Sequence, residues 1–329
     1  METESTIDGS SSTTRIRCLL VVAVIGGPPC LQVATVGSAV DVRPLCATCE
    51  IRTAWGHRGT GIVPSVADEG YLLDNREADA GARLGALAAI FDPWTFDHLG
   101  RLGLRPGSRV WEVGAGGPSV IGWLAARVGA DGHVLATDID VSWAEAAAAP
   151  NVEVRRHDVG ADPRPSETFD LVHARLVLVH VPAREDALAS MVESIRPGGW
   201  LLVEDADPAL QPLSCLDPRT ADEELANRIR TGFRTLLVGR GVDLAYGRTL
   251  PRVLREAGLT DVAADAFVPL RHPASVELEQ STIWMIRDQL VAHAIATPAE
   301  IERHLANVAT GRLDLAQPPL ISAWGRKPE

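Results

Sequence analysis

The stretch that decides the fold is Val110-Trp-Glu-Val-Gly-Ala-Gly-Gly-Pro-Ser119. Its first four residues are apolar except for one glutamate and predict a buried strand. The glycines that follow predict a turn, and Pro118 is typical of the first turn of a helix. Glycine lets the backbone approach a ligand closely, and N–H groups at the start of a helix point towards it. The stretch therefore predicts a strand, a ligand-binding turn and a helix in immediate succession.

Carboxylates accompany this turn at the ends of three successive predicted strands. Glu112 lies two residues before Gly114, where it can accept a hydrogen bond from a ligand ammonium group. Asp138 ends the second strand, where a carboxylate can bind both hydroxyls of a ribose. Asp158 follows the third strand, where an acceptor can meet an adenine amino group. The carboxyl ends of neighbouring parallel strands converge on one crevice, so we expect these side chains to share a nucleotide-like ligand.

Strands and helices alternate through the body of the chain, which is typical of a parallel sheet with helices on both faces. Because proline breaks helices, a helix that begins at Ala80 is expected to end within Phe91-Asp-Pro-Trp94. We predict a doubly wound, mostly parallel α/β sheet of seven strands, with a helical insertion before the last strand. The predicted strands are 110–113, 133–137, 152–155, 169–173, 200–204, 261–268 and 320–324.

Three regions are expected along the chain. Residues 1–62 are expected to be a disordered leader or the result of an upstream start assigned in error. Their charged start, short apolar run and small residues also fit a secretory signal, which is the third interpretation. Residues 63–104 are expected to form an N-terminal helical lid, to which Tyr71 and Trp94 contribute. Residues 105–329 form the ligand-binding domain, with the insertion at about 275–311 as a cap.

The overall charge and the cysteines exclude several classes of function. The formal net charge of −12 disfavours binding to nucleic acid and to anionic membranes. Cys215 is the only cysteine after residue 50, so the body is not held by disulfides and suits a reducing compartment. We therefore expect a cytoplasmic protein without nucleic-acid or stable membrane partners. Cys46 and Cys49 have the CxxC spacing but lack a second pair or a nearby histidine couplet, and we expect no metal site.

The order of these motifs resembles the class I methyltransferase family over roughly residues 105–206. Members of that family carry Glu-x-Gly-x-Gly, an acidic residue that ends the second strand, and an aspartate after the third. The segments Phe169-Asp-Leu-Val-His-Ala-Arg175 and Arg196-Pro-Gly-Gly-Trp-Leu-Leu-Val-Glu204 are similar to the family's fourth strand and its entry into the fifth. The resemblance implies a Rossmann-like methyltransferase fold that uses S-adenosyl-L-methionine as its cofactor.

Carried over by position, the resemblance also implies a set of donor-binding residues. Those of the glycine turn would hold the methionine moiety, those after the second strand the ribose and adenine, and those after the third strand the adenine edge. The end of the fourth strand adds one arginine, and Asp140 is an alternative to its neighbour for the ribose. The implied residues are Glu112, Gly114, Ala115, Gly116, Asp138, Ile139, Asp158, Val159 and Arg175.

The methyl acceptor is not identified by the sequence. We expect direct in-line displacement onto a small, partly apolar molecule held under the helical insertion, with Tyr71 and Trp284 as candidate substrate contacts. His180 is the candidate general base, which is needed only where the acceptor proton has a high pKa. His173 and Glu204 are further acid–base candidates near strand ends. The apolar helix around Trp284 would otherwise be buried against the sheet or form a homodimer contact.

Two other classes of function share a glycine turn after a strand. One is an NAD(P)-dependent oxidoreductase, but its Gly-x-Gly-x-x-Gly motif would require glycine where Ser119 stands. The other is a regulator that binds the donor without catalysis. The acidic residue before the glycines and the later Pro-Gly-Gly turn favour the methyl donor over the nicotinamide.

Overall fold

The computed structural model describes residues 72–73 and 80–329. The expected leader lies outside the described residues, and so do Tyr71 and most of the segment before Ala80 that was expected to begin the lid.

Seven strands form a single sheet in the order β3-β2-β1-β4-β5-β7-β6. Strands β1 to β5 pair in parallel, whereas β7 runs antiparallel to both β5 and β6. The predicted mostly parallel seven-stranded sheet is therefore confirmed. The strands are β1 Arg109–Val113, β2 His133–Asp138, β3 Val152–Arg156, β4 Phe169–Arg175, β5 Ile195–Ala206, β6 Thr260–Phe267 and β7 Leu320–Arg326.

Helices cover both faces of the sheet because successive strand residues point to opposite sides. In β5, Leu201 packs with the core that contains α3 to α5, and Leu202 packs with the core that contains α2 and the end of α1. The helices are α1 Ala80–Arg101, α2 Pro118–Val128, α3 Arg184–Ser194, α4 Ala221–Gly239, α5 Leu250–Glu256, α6 Ser275–Ala292 and α7 Pro298–Ala309.

The prediction that α1 ends at its proline is wrong. The helix continues through Pro93 to Arg101, with the proline on its exposed side. Loss of one helical hydrogen bond and the clash of the ring cost roughly 3 kcal/mol. Phe91 and Trp94 offset this cost because both rings pack on Phe267 of β6, with the Trp94 ring stacked at 5.2 Å between centroids. Tertiary packing on both sides of the proline thus keeps the helix continuous.

The insertion between β6 and β7 contains α6 and α7, which pack against α1 and α4. Glu279 of α6 joins these helices, since its Oε2 accepts from Arg230 Nη2 at 2.7 Å and its Oε1 lies 3.0 Å from His304 Nε2. Burial opposes ionisation of this carboxyl, yet Arg230 and His304 lower the pKa of Glu279 to about 2. The insertion is therefore attached to the body by a buried ion group.

Among the described residues, no helix combines the length and the apolar character that crossing a membrane requires.

Candidate active site

A cavity of about 1100 Å³ opens at the carboxyl ends of the parallel strands, and we call it the main cavity. The fold brings together there all the residues that the resemblance implied for the donor. They come from the ends of β1, β2, β3 and β4 and the segments after them. The cavity is lined by Glu112, Gly114, Ala115, Gly116, Asp138, Ile139, Asp158, Val159 and Arg175, among others.

The glycine turn is shaped by backbone that other residues rarely adopt. Gly114 and Gly116 have φ angles of 63° and 58°, in the left-handed region that favours glycine. A Cβ atom on Gly114 would lie 2.3 Å from Cγ2 of Val177, so glycine is also needed for the loop after β4 to approach the turn. The N-cap of α2 is Gly117, which offers no side-chain cap, and the first N–H groups of that helix are left for a ligand.

Asp138 links the end of β2 to this turn. Its Oδ2 accepts from the Gly116 N–H at 2.9 Å and its Oδ1 accepts from the Asp140 N–H at 3.0 Å. Burial raises the pKa of Asp138, and these backbone donors act in the opposite direction. Asp140 instead accepts from the backbone N–H of Ser142 at 3.0 Å. Of the two carboxylates, Asp138 is the one held against the glycine turn.

The residues after β2 and β3 form a partly apolar side of the main cavity. Ile139 is 52% exposed, which is unusual for an isoleucine beside a core, and Val159 lies across the same cavity. The Asp158 carboxylate is exposed and accepts from the Gly160 N–H at 2.9 Å. This side therefore offers an apolar contact next to an acceptor oxygen.

The residues of the main cavity fit S-adenosyl-L-methionine. A Cβ atom at Gly114 would fill the turn, so glycine leaves its backbone open to close approach by the cofactor. The carboxylates of Glu112 and Asp138 match an ammonium group and a ribose diol, and exposed Ile139 matches a flat apolar base. The ammonium group, the ribose hydroxyls and the base of the cofactor thus each have a chemically suitable partner among the described residues.

A buried ion group lies beneath this cavity. His173 Nδ1 is 2.6 Å from Glu112 Oε2, and His173 Nε2 is 3.4 Å from Glu204 Oε2. Burial favours the neutral imidazole, but the two carboxylates raise the pKa of His173 to about 9. Burial likewise opposes ionisation of Glu204, yet His173 lowers the pKa of that carboxyl to about 2. The histidine is therefore a buried cation at neutral pH.

The structure places the acid–base candidates His173 and Glu204 away from the space that a ligand could occupy. Both side chains are 0% exposed and neither lines the main cavity. They lie within the sheet rather than at its edge, so no substrate atom can reach them. Their part is structural, and only Glu112 of this ion group faces the cavity.

Helix α1 is fastened to the same ion group. Glu204 Oε2 accepts from Thr95 Oγ1 at 2.5 Å, and its Oε1 accepts from Ser322 Oγ at 2.6 Å. Ser322 in turn accepts from Trp94 Nε1 at 3.2 Å, so Trp94 anchors α1 to the sheet. Arg175 donates to Thr95 Oγ1 at 2.9 Å and so joins the end of β4 to α1.

A second, smaller cavity of about 120 Å³ adjoins the first, and we call it the apolar chamber. Arg83, Leu87, Leu176 and His180 line both spaces and form the mouth between them. The chamber lies between α1, α4 and α6. Its apolar walls include Leu73, Phe91, Val179, Phe233, Leu237, Val242, Leu278, Ile283 and Leu320.

The mouth contains a strained residue and a neutral histidine. Leu176 has a φ of 58°, which is uncommon for a leucine and is typical of strain at functional sites. Its N–H donates to the carbonyl of Glu204 at 2.7 Å, which holds this conformation. Burial, together with the charges of Arg83 and Arg184, lowers the pKa of His180 to about 4. The imidazole is therefore uncharged at neutral pH, and the same shift makes it a weaker base than an ordinary histidine.

The structure does not bring Trp284, a candidate substrate contact, to either cavity. Its side chain is 45% exposed, lies beneath the Arg287 guanidinium at 5.2 Å, and lines neither cavity. The next residue, Met285, faces the main cavity together with Gln289. Apolar character alone did not distinguish which face of α6 points inward. The proposed contact at Tyr71 lies outside the described residues.

Sequence reasoning also missed the contribution of α1 to both cavities. Arg83, Leu84 and Leu87 lie on one helical face over the glycine turn. Their spacing is that of one helical face and could have indicated this wall. The helix was instead expected to belong to a separate lid and to end before the polar residues that anchor it to the sheet. The continuous helix makes α1 a wall of the site.

We expect the free energy of unfolding to fall by roughly 3 kcal/mol as the pH rises from 6.5 to above 9. The raised pKa of His173 means that its stabilisation is complete below the ordinary value of 6.5 and is lost as the pH rises through about 9. Urea unfolding of the unmodified protein at a series of pH values measures this slope.

The variant His173→Gln should be less stable and should show a flatter slope over that range. His293→Gln, which removes an exposed histidine after α6, is the matched control and should keep the slope. A stability that does not change between pH 6.5 and 9.5 in the unmodified protein contradicts the protonated state of His173.

Comparison with known proteins identifies the domain. Residues 111–203 match the family described as Methyltransferase domain. Methyltransferase str2 of Strobilurus tenacellus is 34% identical over 187 residues, which cover 55% of this chain and 63% of that protein. The ubiquinone/menaquinone biosynthesis C-methyltransferase UbiE of Vibrio cholerae is 32% identical over 141 residues, which cover 40% and 53% respectively.

Phosphoethanolamine N-methyltransferase 1 of Arabidopsis thaliana is 25% identical over 177 residues, which cover 52% of this chain and 32% of that protein. The chain thus spans between 32% and 63% of the length of these curated relatives.

A solved structure has the same fold. Phosphoethanolamine N-methyltransferase 2 of Haemonchus contortus, in complex with phosphomonomethylethanolamine and S-adenosylhomocysteine, aligns with a TM-score of 0.50. The sequences are 16% identical, and the alignment covers 81% of this chain and 61% of that chain. The strand order and the glycine turn agree with the family match, which identifies residues 111–203 as a methyltransferase domain of the class I S-adenosylmethionine-dependent type.

Proposed function

We propose that the chain transfers a methyl group from S-adenosyl-L-methionine to a small-molecule acceptor. The observation that carries the proposal is that the main cavity and the apolar chamber share one mouth. The main cavity contains the glycine turn and its carboxylates, and the apolar chamber adjoins it at Leu176 and His180. A donor in the first space and an acceptor in the second would have their reacting atoms at this mouth.

The main cavity holds the donor through residues from successive strand ends. When bound, S-adenosyl-L-methionine supplies an electrophilic methyl group on its sulfonium. Glu112 would bind the donor ammonium, and the glycine turn would approach the methionine backbone. Asp138 would bind the ribose hydroxyls, and Ile139, Asp158 and Val159 would frame the adenine. Arg175 lines the cavity, but its contacts with α1 make it a positioning residue in this proposal.

The chain would accelerate transfer mainly by positioning and by exclusion of water. The loop after β4 packs so closely on the glycine turn that a Cβ at Gly114 would clash with Val177. Leucines from α1 and from this loop surround the mouth, and α6 contributes Met285 and Gln289. These residues keep the reacting groups in a mostly apolar space.

His180 would serve as the base for an acceptor that carries a proton of high pKa. It lines both cavities, and its lowered pKa keeps the imidazole neutral at physiological pH. A neutral imidazole can take the proton from a hydroxyl or an amine as the new bond to carbon forms. An acceptor that is already ionised would not need this step.

The relatives support a small molecule as the acceptor class. Those named above include an N-methyltransferase of phosphoethanolamine and a C-methyltransferase of quinone biosynthesis. The chamber volume and the net charge of −12 are in keeping with an acceptor of this size and do not suit a nucleic acid. We therefore assign the acceptor to the small molecules without naming it.

The proposal is tested by product labelling. The purified protein is incubated with methyl-labelled S-adenosyl-L-methionine and a small-molecule extract, and labelled compounds are identified by mass spectrometry. We expect at least one labelled small molecule that is absent with heat-treated protein. Label recovered only in macromolecules, or no transfer despite measured donor binding, would contradict the proposed acceptor class.

The variant Asp138→Ala should weaken binding of S-adenosylhomocysteine by roughly 1.5–3 kcal/mol, the contribution of hydrogen bonds to a charged group. Calorimetry measures the affinity. Asp131→Ala removes an exposed carboxylate between α2 and β2 and should leave the affinity unchanged. Equal affinities for the Asp138 variant and the unmodified protein would move the ribose contact to Asp140 or refute this site.

The variant His180→Gln should lower kcat by about two to four orders of magnitude with an acceptor that must lose a proton. Affinity for S-adenosylhomocysteine should stay the same, because the change lies at the mouth. The pH profile of the unmodified enzyme should be flat between pH 6 and 8, since the pKa of His180 is about 4. An unchanged kcat in the variant would show that His180 is only a wall residue. A limb near pH 6.5 that disappears in the variant would instead contradict the lowered pKa of His180.

A further inference from the structure

The apolar chamber contains one polar side chain that the protein itself leaves unused. Gln317, between α7 and β7, is 3% exposed and lines the chamber. Its backbone is held, because its N–H donates to the Pro269 carbonyl at 2.9 Å and its carbonyl accepts from Gln211 Nε2 at 3.4 Å. Its side-chain Nε2 has no hydrogen-bond partner. A buried amide without a partner is costly, so a ligand group that accepts its hydrogen bond would be strongly favoured.

The charges around the chamber are a second, independent indication of the ligand that it prefers. Among the described lining residues, the formally charged ones are Arg83, Arg230 and Glu279. Arg230 and Glu279 form an ion pair at 2.7 Å, which leaves Arg83 as the excess positive charge. The Arg83 Nε is buried and has no hydrogen-bond partner. The chamber is therefore apolar in its walls, and its excess positive charge lies at the mouth with Arg83.

We propose that the apolar chamber binds an acceptor that is an apolar carboxylate, with an acid oxygen hydrogen-bonded to Gln317 and its hydrocarbon part against the leucine and phenylalanine walls. This inference rests on the proposed function and adds the chemical class of the acceptor. The carboxylate is the anchor in the chamber, and the atom to be methylated lies at the mouth beside His180 and Leu176.

A cationic acceptor fits the chamber poorly. Glu279 is the one carboxylate among the described lining residues, and Arg230 and His304 already occupy its two oxygens. An amine in the chamber would meet the positive charge of Arg83 without a carboxylate to balance it. The chemistry of the chamber thus differs from what a phosphorylated amine requires.

The inference is tested by calorimetry on the full chain with straight-chain carboxylates from butanoate to decanoate. Primary alcohols of the same lengths and phosphoethanolamine are the comparison ligands. Each titration is done with and without saturating S-adenosylhomocysteine. We expect carboxylates to bind more tightly than the matched alcohols. Affinity should rise about fourfold with each buried methylene until the chamber is full.

The variant Gln317→Leu should lower octanoate affinity by about tenfold or more, the scale of a lost buried hydrogen bond. Its melting temperature should be unchanged or higher, because the amide has no partner in the free protein. Gln280→Leu, on α6 but outside the chamber lining, is the matched control and should bind octanoate normally.

The possible results separate this inference from the proposed function. Failure of S-adenosylhomocysteine to bind refutes the donor site. In that case, the titrations without S-adenosylhomocysteine still show whether the chamber binds carboxylates. Equal affinity for octanoate and octanol, preferred binding of phosphoethanolamine, or no binding by any carboxylate overturns the inference. Unchanged octanoate affinity in Gln317→Leu, or a lower melting temperature in that variant, overturns the part given to Gln317.

Discussion

The arrangement of the site depends on His173, a buried cation held between Glu112 and Glu204. Glu112 of β1 and His173 of β4 lie directly opposite each other in the sheet, and Glu204 belongs to the neighbouring strand β5. A buried charge is tolerated only when it is paired. A change of register between any of these three strands would therefore leave a charge unpaired. Thr95 brings α1 into the same group through Glu204. The register of the central sheet and the position of the helix above the site are therefore linked by one set of contacts.

Local sequence was sufficient for the elements whose signals are local. Short-range reasoning is enough to predict the strand and glycine turn at 110–117, the helix that starts at Pro118, and the carboxylates of Asp138 and Asp158. All of these meet at the main cavity. The long α1 was mispredicted because aromatic packing on Phe267 outweighs Pro93. Trp284 was misplaced because α6 has apolar residues on more than one face, and only its neighbours decide which face is buried. The roles of His173 and Glu204 depend on residues far away in sequence, which no local pattern shows.

The two cavities are built from different parts of the fold. Strand ends and a glycine turn supply backbone groups and carboxylates that suit a nucleotide-like donor. The walls of the second space come from α1, α4 and α6, and the insertion before β7 supplies the last of these together with Gln317. Changes in the insertion alter the acceptor side without disturbing the buried ion group that positions the donor side. The methyl donor can thus be assigned from the family match, whereas the proposed acceptor site depends on the side chains of the chamber.

The central claim is that the main cavity binds the methyl donor, and a competition between nucleotides tests it most directly. The full chain is titrated by calorimetry with S-adenosylhomocysteine and, separately, with NADH at the same concentrations. The account predicts one S-adenosylhomocysteine bound per chain and no saturable heat with NADH, because Ser119 replaces the third glycine that a dinucleotide site requires. Saturable binding of NADH without binding of S-adenosylhomocysteine would contradict it.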